Sequence, residues 1–422
     1  MNDTLLEQIP DDALPLLPVT EADCDRWCAQ QPPNWQRWLT SAGFRARAGS
    51  HCLLPDLDGA PAAVAVGFDP AERPWQLAGP AATLPAGNYR LEVDWNRDER
   101  ESAALGWLLG GYRFDRYKSG PLPGARLAPG GDLRLEPVRE LARATTLVRN
   151  LINTPAEDML PEHLAAATET LASEFGAGFR QWVGDELLRD NYPLIHAVGR
   201  ASTQPPRLLE LRWGDPDRPG VSLVGKGVCF DSGGLDLKPA SGMRLMKKDM
   251  GGAAHVLGLA RLIMARRLPV HLRVLIPAVE NAVAGNAFRP GDVLRSRQGL
   301  SVEIENTDAE GRLILADALT AAAEERPELI LDFATLTGAA RVAVGTEIAA
   351  FFSHHEPLSA ALTEAGAGCN DPLWRLPLHG PYRALLDSRI ADMANASSNG
   401  YAGAITAALF LHEFVPADRP WA

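Results

Sequence analysis

Apolar and polar residues alternate in blocks over most of the chain, and these blocks predict strands separated by helices. Short apolar runs between turn residues are typical of buried strands, and longer runs with apolar residues every three or four positions are typical of helices. The predicted strands are "YPLIHAVG", "RLLELRW", "VSLVGKGVCF", "VHLRVLIPAV" and "ELILDFATLTG". The predicted helices are "VRELARATTLVRNLIN", "MGGAAHVLGLARLIMARR", "RLILADALTAAAEE" and "AITAALFLHEF". This alternation predicts an α/β fold with a mostly parallel sheet flanked by helices on both faces.

The first part of the chain has a different pattern, with short strand-like runs such as "AAVAVGF" and "YRLEVDW". The stretch from Lys118 to Pro137 is rich in glycine and proline, which is typical of a linker. A chain of 422 residues is long enough for two domains. We therefore predict a smaller N-terminal α/β domain and its linker at 1–130, and a C-terminal catalytic domain at 131–422.

Composition and charge narrow the possible functions. The chain has 41 basic and 53 acidic residues and a net charge of −12, which disfavours nucleic acid as a partner. No apolar run approaches the roughly 18 residues of a membrane span, and the N-terminal stretch lacks the pattern of a secretory signal. Five scattered cysteines favour a reducing, cytoplasmic setting. Cys24 and Cys28 have no second pair to complete a metal site, so we interpret them as ordinary thiols.

Charged residues and glycines are concentrated in three segments near the ends of predicted strands or the starts of predicted helices. The segments are "VGKGVCFDSGGLDLKP", "LMKKDMGGAAH" and "NTDAEGRL". Parallel sheets place their ligands at the carboxyl ends of their strands, so we expect the three segments to meet there. The charged residues that would then lie together are Lys226, Asp231, Lys238, Asp249, Asp308, Glu310 and Arg312.

Four carboxylates in one confined site require counter-charges. Two divalent cations would balance Asp231, Asp249, Asp308 and Glu310, and carboxylate oxygens are suitable ligands for such ions. In an extended segment Asp308 and Glu310 point the same way, so both can reach one pair of metal ions. A lysine beside two cations is pushed towards its neutral form and can be a nitrogen ligand, and a second, protonated lysine can stabilise an oxyanion. The residues therefore predict a two-metal hydrolytic site.

The same segments, together with "DFATLTGAA", resemble the signature blocks of the leucyl aminopeptidase family of dinuclear metallopeptidases in order and spacing. Supporting matches are "LLGGYRFDRYK", "NLINTPAEDMLP" and "GAITAALFL". The resemblance covers roughly residues 100–420, and several ordered blocks of this kind are highly specific. The residues before this range resemble the family only in their placement.

The resemblance implies two overlapping sets of metal ligands. Lys226, Asp231, Asp249 and Glu310 would hold one ion, and Asp231, Asp308 and Glu310 would hold the other, more exchangeable one. Zinc or manganese would fill these sites, and magnesium or cobalt also suits oxygen-rich coordination.

The resemblance also implies roles for residues around the metal ions. Lys238 would polarise the substrate carbonyl, and Arg312 would hold a bicarbonate ion that acts as the general base. The substrate's first side chain and its free amine would contact Met246, Thr335, Leu336 and Gly338. The expected activity is release of unblocked N-terminal residues, preferably leucine-like ones, from short peptides by a cytoplasmic homohexamer.

Two departures from the family keep alternatives open. Lys248 stands directly before Asp249, where the family usually has a small or uncharged residue, and we expect its side chain to point outward. Family members continue beyond Ala422 through a segment like His-Leu-Asp-Ile-Ala-Gly. The alternatives are therefore a catalytically weakened metal-binding scaffold or a DNA-binding relative, and two-metal phosphoester hydrolysis is a third.

Overall fold

The computed structural model describes residues 3–120 and 124–422, and the chain divides into two compact units, Met1–Thr146 and Leu147–Ala422. The strands of the N-terminal unit are β1 (Leu14–Thr20), β2 (His51–Pro55), β3 (Pro61–Phe68), β4 (Gly87–Leu91) and β5 (Ala125–Ala128). Its helices are α1 (Cys24–Ala29), α2 (Pro33–Ser41), α3 (Ala78–Thr83) and α4 (Arg97–Gly110), with a 3₁₀ turn at Trp75–Leu77. Helix α5 (Leu135–Asn153) spans the boundary between the units.

The N-terminal unit is built on a five-stranded sheet in the order β2-β3-β1-β4-β5. Strand β2 is antiparallel to β3, and the other neighbours are parallel. Helix α4 begins at a capping box in which the side chains of Asn96 and Glu99 accept each other's backbone N–H. Its Trp107 is fully buried in the same apolar core as Tyr89 of β4. This arrangement confirms a smaller N-terminal α/β unit.

The predicted linker is wrong over part of its length. Within the stretch from Lys118 to Pro137, strand β5 pairs with β4 as a regular strand of the N-terminal sheet, and α5 begins at Leu135. Residues 121–123 of this stretch lie outside the described residues. Glycine and proline indicate turns, but they do not exclude a short strand between two turns.

The C-terminal unit contains more elements than the first. Its strands are β6 (Gly178–Val183), β7 (Arg207–Trp213), β8 (Gly220–Gly225), β9 (Gly227–Asp231), β10 (His271–Asn281), β11 (Val293–Arg295), β12 (Ser301–Glu303), β13 (Leu329–Phe333), β14 (Ala349–Phe351), β15 (Leu373–Arg375) and β16 (Met393–Ala394). Its helices are α6 (Pro161–Glu174), α7 (Glu186–Arg189), α8 (Pro193–Gly199), α9 (Ala240–Met243), α10 (Gly251–Ala265), α11 (Gly311–Glu324), α12 (Gly338–Val344), α13 (Glu356–Gly368) and α14 (Gly403–His412). Short 3₁₀ helices lie at Ala156–Asp158, Met246–Met250 and Gly380–Leu386.

The central sheet of this unit has the order β13-β8-β10-β7-β6, and β9 also pairs with β10. Strands β13, β8, β9 and β10 are parallel to one another, whereas β7 is antiparallel to both β10 and β6. The α/β fold is therefore confirmed, and four of the six strands of this mixed sheet are parallel to one another. These four parallel strands carry the charged segments.

Helices cover both faces of the central sheet. Along β10, Leu275 belongs to the apolar core that includes α11 and α14. Its neighbours Val274 and Ile276 belong to the core that includes α10 and α6. Successive side chains of a strand point to opposite faces, so a continuous apolar run is the pattern that a strand covered on both faces requires.

The segment "YPLIHAVG" forms helix α8, so its prediction as a strand is wrong. A short apolar run does not distinguish a buried strand from a buried helix. Pro193 at the first helical position favours the helix, since proline has no N–H to leave unsatisfied. The buried carboxylate of Asp317 in α11 accepts the backbone N–H of Leu194 at 2.8 Å and of Ile195 at 3.3 Å. It also accepts the backbone N–H of Arg297 at 2.7 Å.

We predict that Asp317→Ala destabilises the C-terminal unit, because it leaves three backbone N–H groups without their acceptor. The expected loss in the free energy of unfolding is on the order of 3 kcal/mol, measured by urea denaturation. Glu169→Ala on the exposed face of α6 is the matched control and should change the value by less than about 0.5 kcal/mol. A loss below about 1 kcal/mol for Asp317→Ala would show that these hydrogen bonds are readily replaced.

Candidate active site

The charged segments meet at the carboxyl ends of the parallel strands. Lys226 follows β8, Asp231 ends β9, and Thr335 comes shortly after β13. The backbone holds these ends together, since Lys226 N donates to Phe333 O at 2.9 Å and Lys226 O accepts from Ala253 N at 2.9 Å. The 3₁₀ helix Met246–Met250 leads into α10, and the segment 306–310 leads into α11.

Lys226 lies between two carboxylates. Its Nζ is 2.6 Å from Asp249 Oδ2 and 3.0 Å from Glu310 Oε1, and it donates to Thr335 O at 3.1 Å. The side chain is only 3% exposed. Burial alone lowers the pKa of Lys226, but the charges of Asp249, Glu310 and Asp231 outweigh it and raise the pKa above its usual range. Lys226 is therefore the buried counter-charge of one carboxylate pair.

Lys238 has the same relation to a second pair of carboxylates. Its Nζ lies 2.8 Å from Asp231 Oδ2 and also contacts Asp308 Oδ1. Burial lowers the pKa of Lys238, but hydrogen bonds to Asp231 and Asp308 reverse this and raise the pKa to about 12. Lys238 is therefore a protonated ammonium at neutral pH. The other carboxylate oxygen, Asp231 Oδ1, accepts from Gly233 N and from Asn281 Nδ2, each at 2.9 Å.

Both oxygens of Asp249 have polar partners. Oδ2 faces Lys226, and Oδ1 accepts from Thr335 Oγ1 at 2.8 Å. Lys248 Nζ donates to the same Oδ1 at 2.7 Å, so the expectation that Lys248 points outward is wrong. The side chain of lysine is long and flexible, so the Lys248 ammonium can fold back onto the carboxylate of Asp249. The position of Lys248 in the sequence does not show this.

Three carboxylates of the site lie close enough together to repel one another. Asp231, Asp308 and Glu310 each offer an oxygen, and these three atoms lie within 4.8 Å of one another. Burial raises the pKa of Glu310 to about 8, with Asp231 and Asp249 adding to the effect and Lys226 opposing it. Glu310 Oε2 is buried and has no hydrogen-bond partner in the described part of the chain. A buried carboxylate oxygen without a donor, beside two further carboxylates, fits a divalent cation.

Arg312 is a buried cation that forms no ion pair with a carboxylate among the described residues. It is 7% exposed, and its terminal Nη1 donates to Asn395 O at 2.7 Å. Its Nε is buried without a hydrogen-bond partner within 3–120 and 124–422. Burial lowers the pKa of Arg312 to about 10, and Glu310 opposes the shift. The guanidinium therefore remains charged at neutral pH and has a donor free for an anion.

Two glycines allow the charged side chains to approach this closely. A Cβ on Gly252 would lie 1.9 Å from Phe333 O and 2.9 Å from Lys226 N. A Cβ on Gly311 would lie 2.6 Å from Lys226 Cε and 2.7 Å from its Nζ. Glycine between Glu310 and Arg312 therefore leaves the space that the Lys226 ammonium fills.

The residues predicted to contact substrate are divided between two places. Thr335 and Leu336 line a cavity of about 440 Å³, whose other walls are mainly apolar and include Ala340, Phe351 and Ala404. Met246 lies half-buried in the 3₁₀ helix before Asp249, and Gly338 starts α12; neither lines this cavity. The hydroxyl of Thr335 is bonded to Asp249.

Sequence analysis missed two asparagines that hold the site together. Asn281 Nδ2 donates to Asp231 and also to Thr307 O at 3.1 Å. Asn395 Oδ1 accepts the backbone N–H of Glu305 at 2.8 Å, and its Nδ2 donates to Asn306 O at 2.7 Å. Asn281 is a polar residue at the end of an apolar strand, which is a usable signal. Asn395 is remote in sequence and shows no pattern.

The α/β fold and the cluster of buried carboxylates and lysines are compatible with a hydrolytic site that binds divalent cations. Residues 146–422 match the family described as "Cytosol aminopeptidase family, catalytic domain", and residues 14–129 match "M17 aminopeptidase, N-terminal domain". The chain therefore belongs to the cytosol aminopeptidase family, which is also known as the leucyl aminopeptidase family, and the resemblance seen in the sequence is confirmed. It is accordingly a peptidase.

Individual relatives agree with this assignment. A probable cytosol aminopeptidase of Syntrophotalea carbinolica is 44% identical over 333 residues, which are 75% of this chain and 67% of the relative. The crystal structure of a cytosol aminopeptidase from Coxiella burnetii is 46% identical, with a TM-score of 0.93, and the match covers 99% of this chain and 92% of that one. The bottromycin maturation enzyme BotP, solved in complex with Mn, is 35% identical with a TM-score of 0.87 and coverages of 97% and 91%.

Membrane insertion through a helix has no support in the described residues. None of their helices combines the length and the apolar character that a membrane crossing needs.

We predict that Gly311→Ala lowers peptidase activity by at least about tenfold without unfolding the chain, because the added methyl group displaces the Lys226 ammonium and alanine favours the helix. Hydrolysis of an aminoacyl anilide measures activity, and circular dichroism checks folding. Gly368→Ala near the end of α13 is the control, since a Cβ there meets nothing within 4 Å. Full activity of Gly311→Ala would contradict a requirement for this position of Lys226.

Proposed function

We propose that this chain is an aminopeptidase that uses two divalent metal ions to release unblocked, leucine-like N-terminal residues from short peptides. The observation that carries the proposal is the cluster of Asp231, Asp308 and Glu310, in which Glu310 keeps a buried oxygen without a donor. Asp249 is joined to this cluster through Lys226, which contacts both Asp249 and Glu310. Two divalent ions would carry four positive charges, which balance the four carboxylates and would let Lys226 give up its proton and act as a nitrogen ligand.

Five residues would hold the metal ions. Lys226, Asp231, Asp249 and Glu310 would hold one ion, and Asp231, Asp308 and Glu310 the other. Bound there, two divalent cations would supply Lewis acidity towards a peptide carbonyl and lower the pKa of water. Manganese or zinc is the proposed ion, and the Mn complex of the relative BotP supports manganese.

Lys238 would stabilise the negative charge that develops on the substrate oxygen. Its ammonium is protonated, lies beside two of the proposed ligands and is 15% exposed, so a substrate can reach it. A positive charge fixed in place before the reaction is an efficient way to stabilise an oxyanion, since nothing has to reorganise when the charge forms.

Arg312 would bind a bicarbonate ion through the donors that the protein leaves free. The guanidinium is buried and has no carboxylate partner in the described part of the chain. A planar oxyanion matches its fork of donors, and bicarbonate held there can accept a proton as a general base.

The preference for a leucine-like first residue rests on the mainly apolar cavity beside Thr335 and Leu336. Burial of an aliphatic side chain in such a cavity is favourable, whereas a charged side chain would lose its hydration. A homohexamer in the cytoplasm that acts on short peptides completes the proposal. Light scattering of the purified protein tests the hexamer.

The alternatives considered from the sequence are not favoured. The relatives that match most of the chain are named as peptidases, and the net charge of −12 disfavours nucleic acid. No observation supports phosphoester hydrolysis over peptide hydrolysis.

We predict that the chelator-stripped protein does not hydrolyse leucine anilide and that Mn²⁺ or Zn²⁺ restores the reaction. The Asp308→Ala variant should have at most about 1% of the restored activity. The ion proposed to be held by Asp231, Asp308 and Glu310 would then lack one of its three carboxylate ligands. Asp292→Ala provides a control for the loss of an acidic residue outside the cluster. Metal binding without any turnover by the wild-type chain would contradict the aminopeptidase proposal and favour the scaffold.

We predict that Lys238→Met lowers kcat by about a hundredfold or more, because the transition state loses its charged donor. Steady-state kinetics on leucine anilide measure kcat and KM, and metal analysis of the same samples shows whether the ions remain. A variant that keeps two ions and loses kcat supports the proposed role. Unchanged kcat with both ions bound would rule it out.

A further inference from the structure

Lys248 is a charged residue at the active site that the proposed reaction does not use. Its Nζ donates to Asp249 Oδ1 at 2.7 Å, while Lys226 contacts Oδ2 of the same carboxylate at 2.6 Å. Thr335 Oγ1 also donates to Oδ1. Both oxygens of Asp249 therefore already have a polar partner, and two of the three partners are cations.

The two lysines differ in what they can do when a metal ion binds. The Lys226 side chain is 3% exposed and enclosed by Asp249, Glu310 and the backbone of Thr335. The Lys248 side chain is 39% exposed. Its ammonium can move into water when a cation arrives, since its contact with Asp249 is its one ion pair among the described residues. Lys248 is therefore positioned to compete reversibly for Asp249.

We propose that Lys248 is a positioning residue that weakens cation binding through Asp249 and makes that ion more exchangeable. Two effects act in the same direction. The ammonium occupies a ligand oxygen that the cation needs, and its positive charge repels the cation even after the contact is broken. The inference rests on the proposed function, since it takes Asp249 as a metal ligand.

The inference changes the expected order of metal loss. The resemblance implies that the ion held by Asp231, Asp308 and Glu310 is the more exchangeable of the two. Among the proposed ligands, Lys248 contacts only Asp249. It therefore lowers the affinity of the ion that Asp249 helps to hold. In this chain both ions would exchange readily, and activity would follow the concentration of free divalent cation.

The test measures Mn²⁺ affinity directly. Chelator-stripped protein is titrated with Mn²⁺, free Mn²⁺ is read by electron paramagnetic resonance, and dissociation is followed after addition of a chelator. Lys248→Met in an Asp308→Ala background isolates the ion held through Asp249. The expected result is at least about fivefold tighter binding and a correspondingly slower release than in Asp308→Ala alone.

Three further variants separate charge from structure. Lys248→Arg keeps the positive charge and should retain the weaker affinity of the parent. Lys248→Gln removes the charge and keeps a polar side chain, so it should bind Mn²⁺ more tightly, as Lys248→Met does. Arg244→Met removes a positive charge from an exposed residue of the same segment and should change the affinity by less than about twofold.

The outcomes distinguish this inference from the proposed function. Unchanged or weaker Mn²⁺ affinity in both Lys248→Met and Lys248→Gln would overturn the role of Lys248 and leave the aminopeptidase proposal standing. Tighter binding in Lys248→Arg would overturn it as well, since the charge would then not be responsible. Failure of the wild-type chain to bind Mn²⁺ would overturn both the role of Lys248 and the aminopeptidase proposal.

Discussion

The need to neutralise four carboxylates at one edge of a sheet governs the design of the C-terminal unit. Buried charges are costly unless they are paired, and Asp231, Asp249 and Glu310 are almost completely buried. The chain supplies Lys226 for one pair and Lys238 for the other. Even so, burial raises the pKa of Glu310 to about 8. Glu310 Oε2 still lacks a donor among the described residues, and the proposed cations would supply the missing partner.

This electrostatic arrangement depends on the packing of the backbone. The four parallel strands end at one edge, which brings together residues far apart in the sequence. Gly252 and Gly311 then allow α10 and α11 to start against Phe333 and Lys226, where any side chain would collide. Asn395 holds the loop before α11 from a distant part of the chain. Stability and chemistry thus share the same contacts.

Much of this could be predicted from the sequence, because the strongest signals are local. Continuous apolar runs predicted β7 and β10, and helical periodicity predicted α10 and α11, since these elements are buried. The run that forms α8 was ambiguous, because its helix depends on Asp317, more than a hundred residues away. The charged residues of the site were found because they lie in compact segments. Asn395 and the cavity beside Leu336 depend on tertiary contacts that no local pattern encodes.

Lys226 and Lys248 show why residue type and proximity do not determine a role. Both place an ammonium within 2.7 Å of the same carboxylate. Lys226 is enclosed by Asp249 and Glu310, so its ammonium can be displaced or deprotonated only if a new charge enters the site. Its position in the site is therefore fixed. Lys248 is open to water, so the position of its side chain can change. Burial therefore turns one lysine into a permanent component of the site and leaves the other as a competitor for whatever binds Asp249.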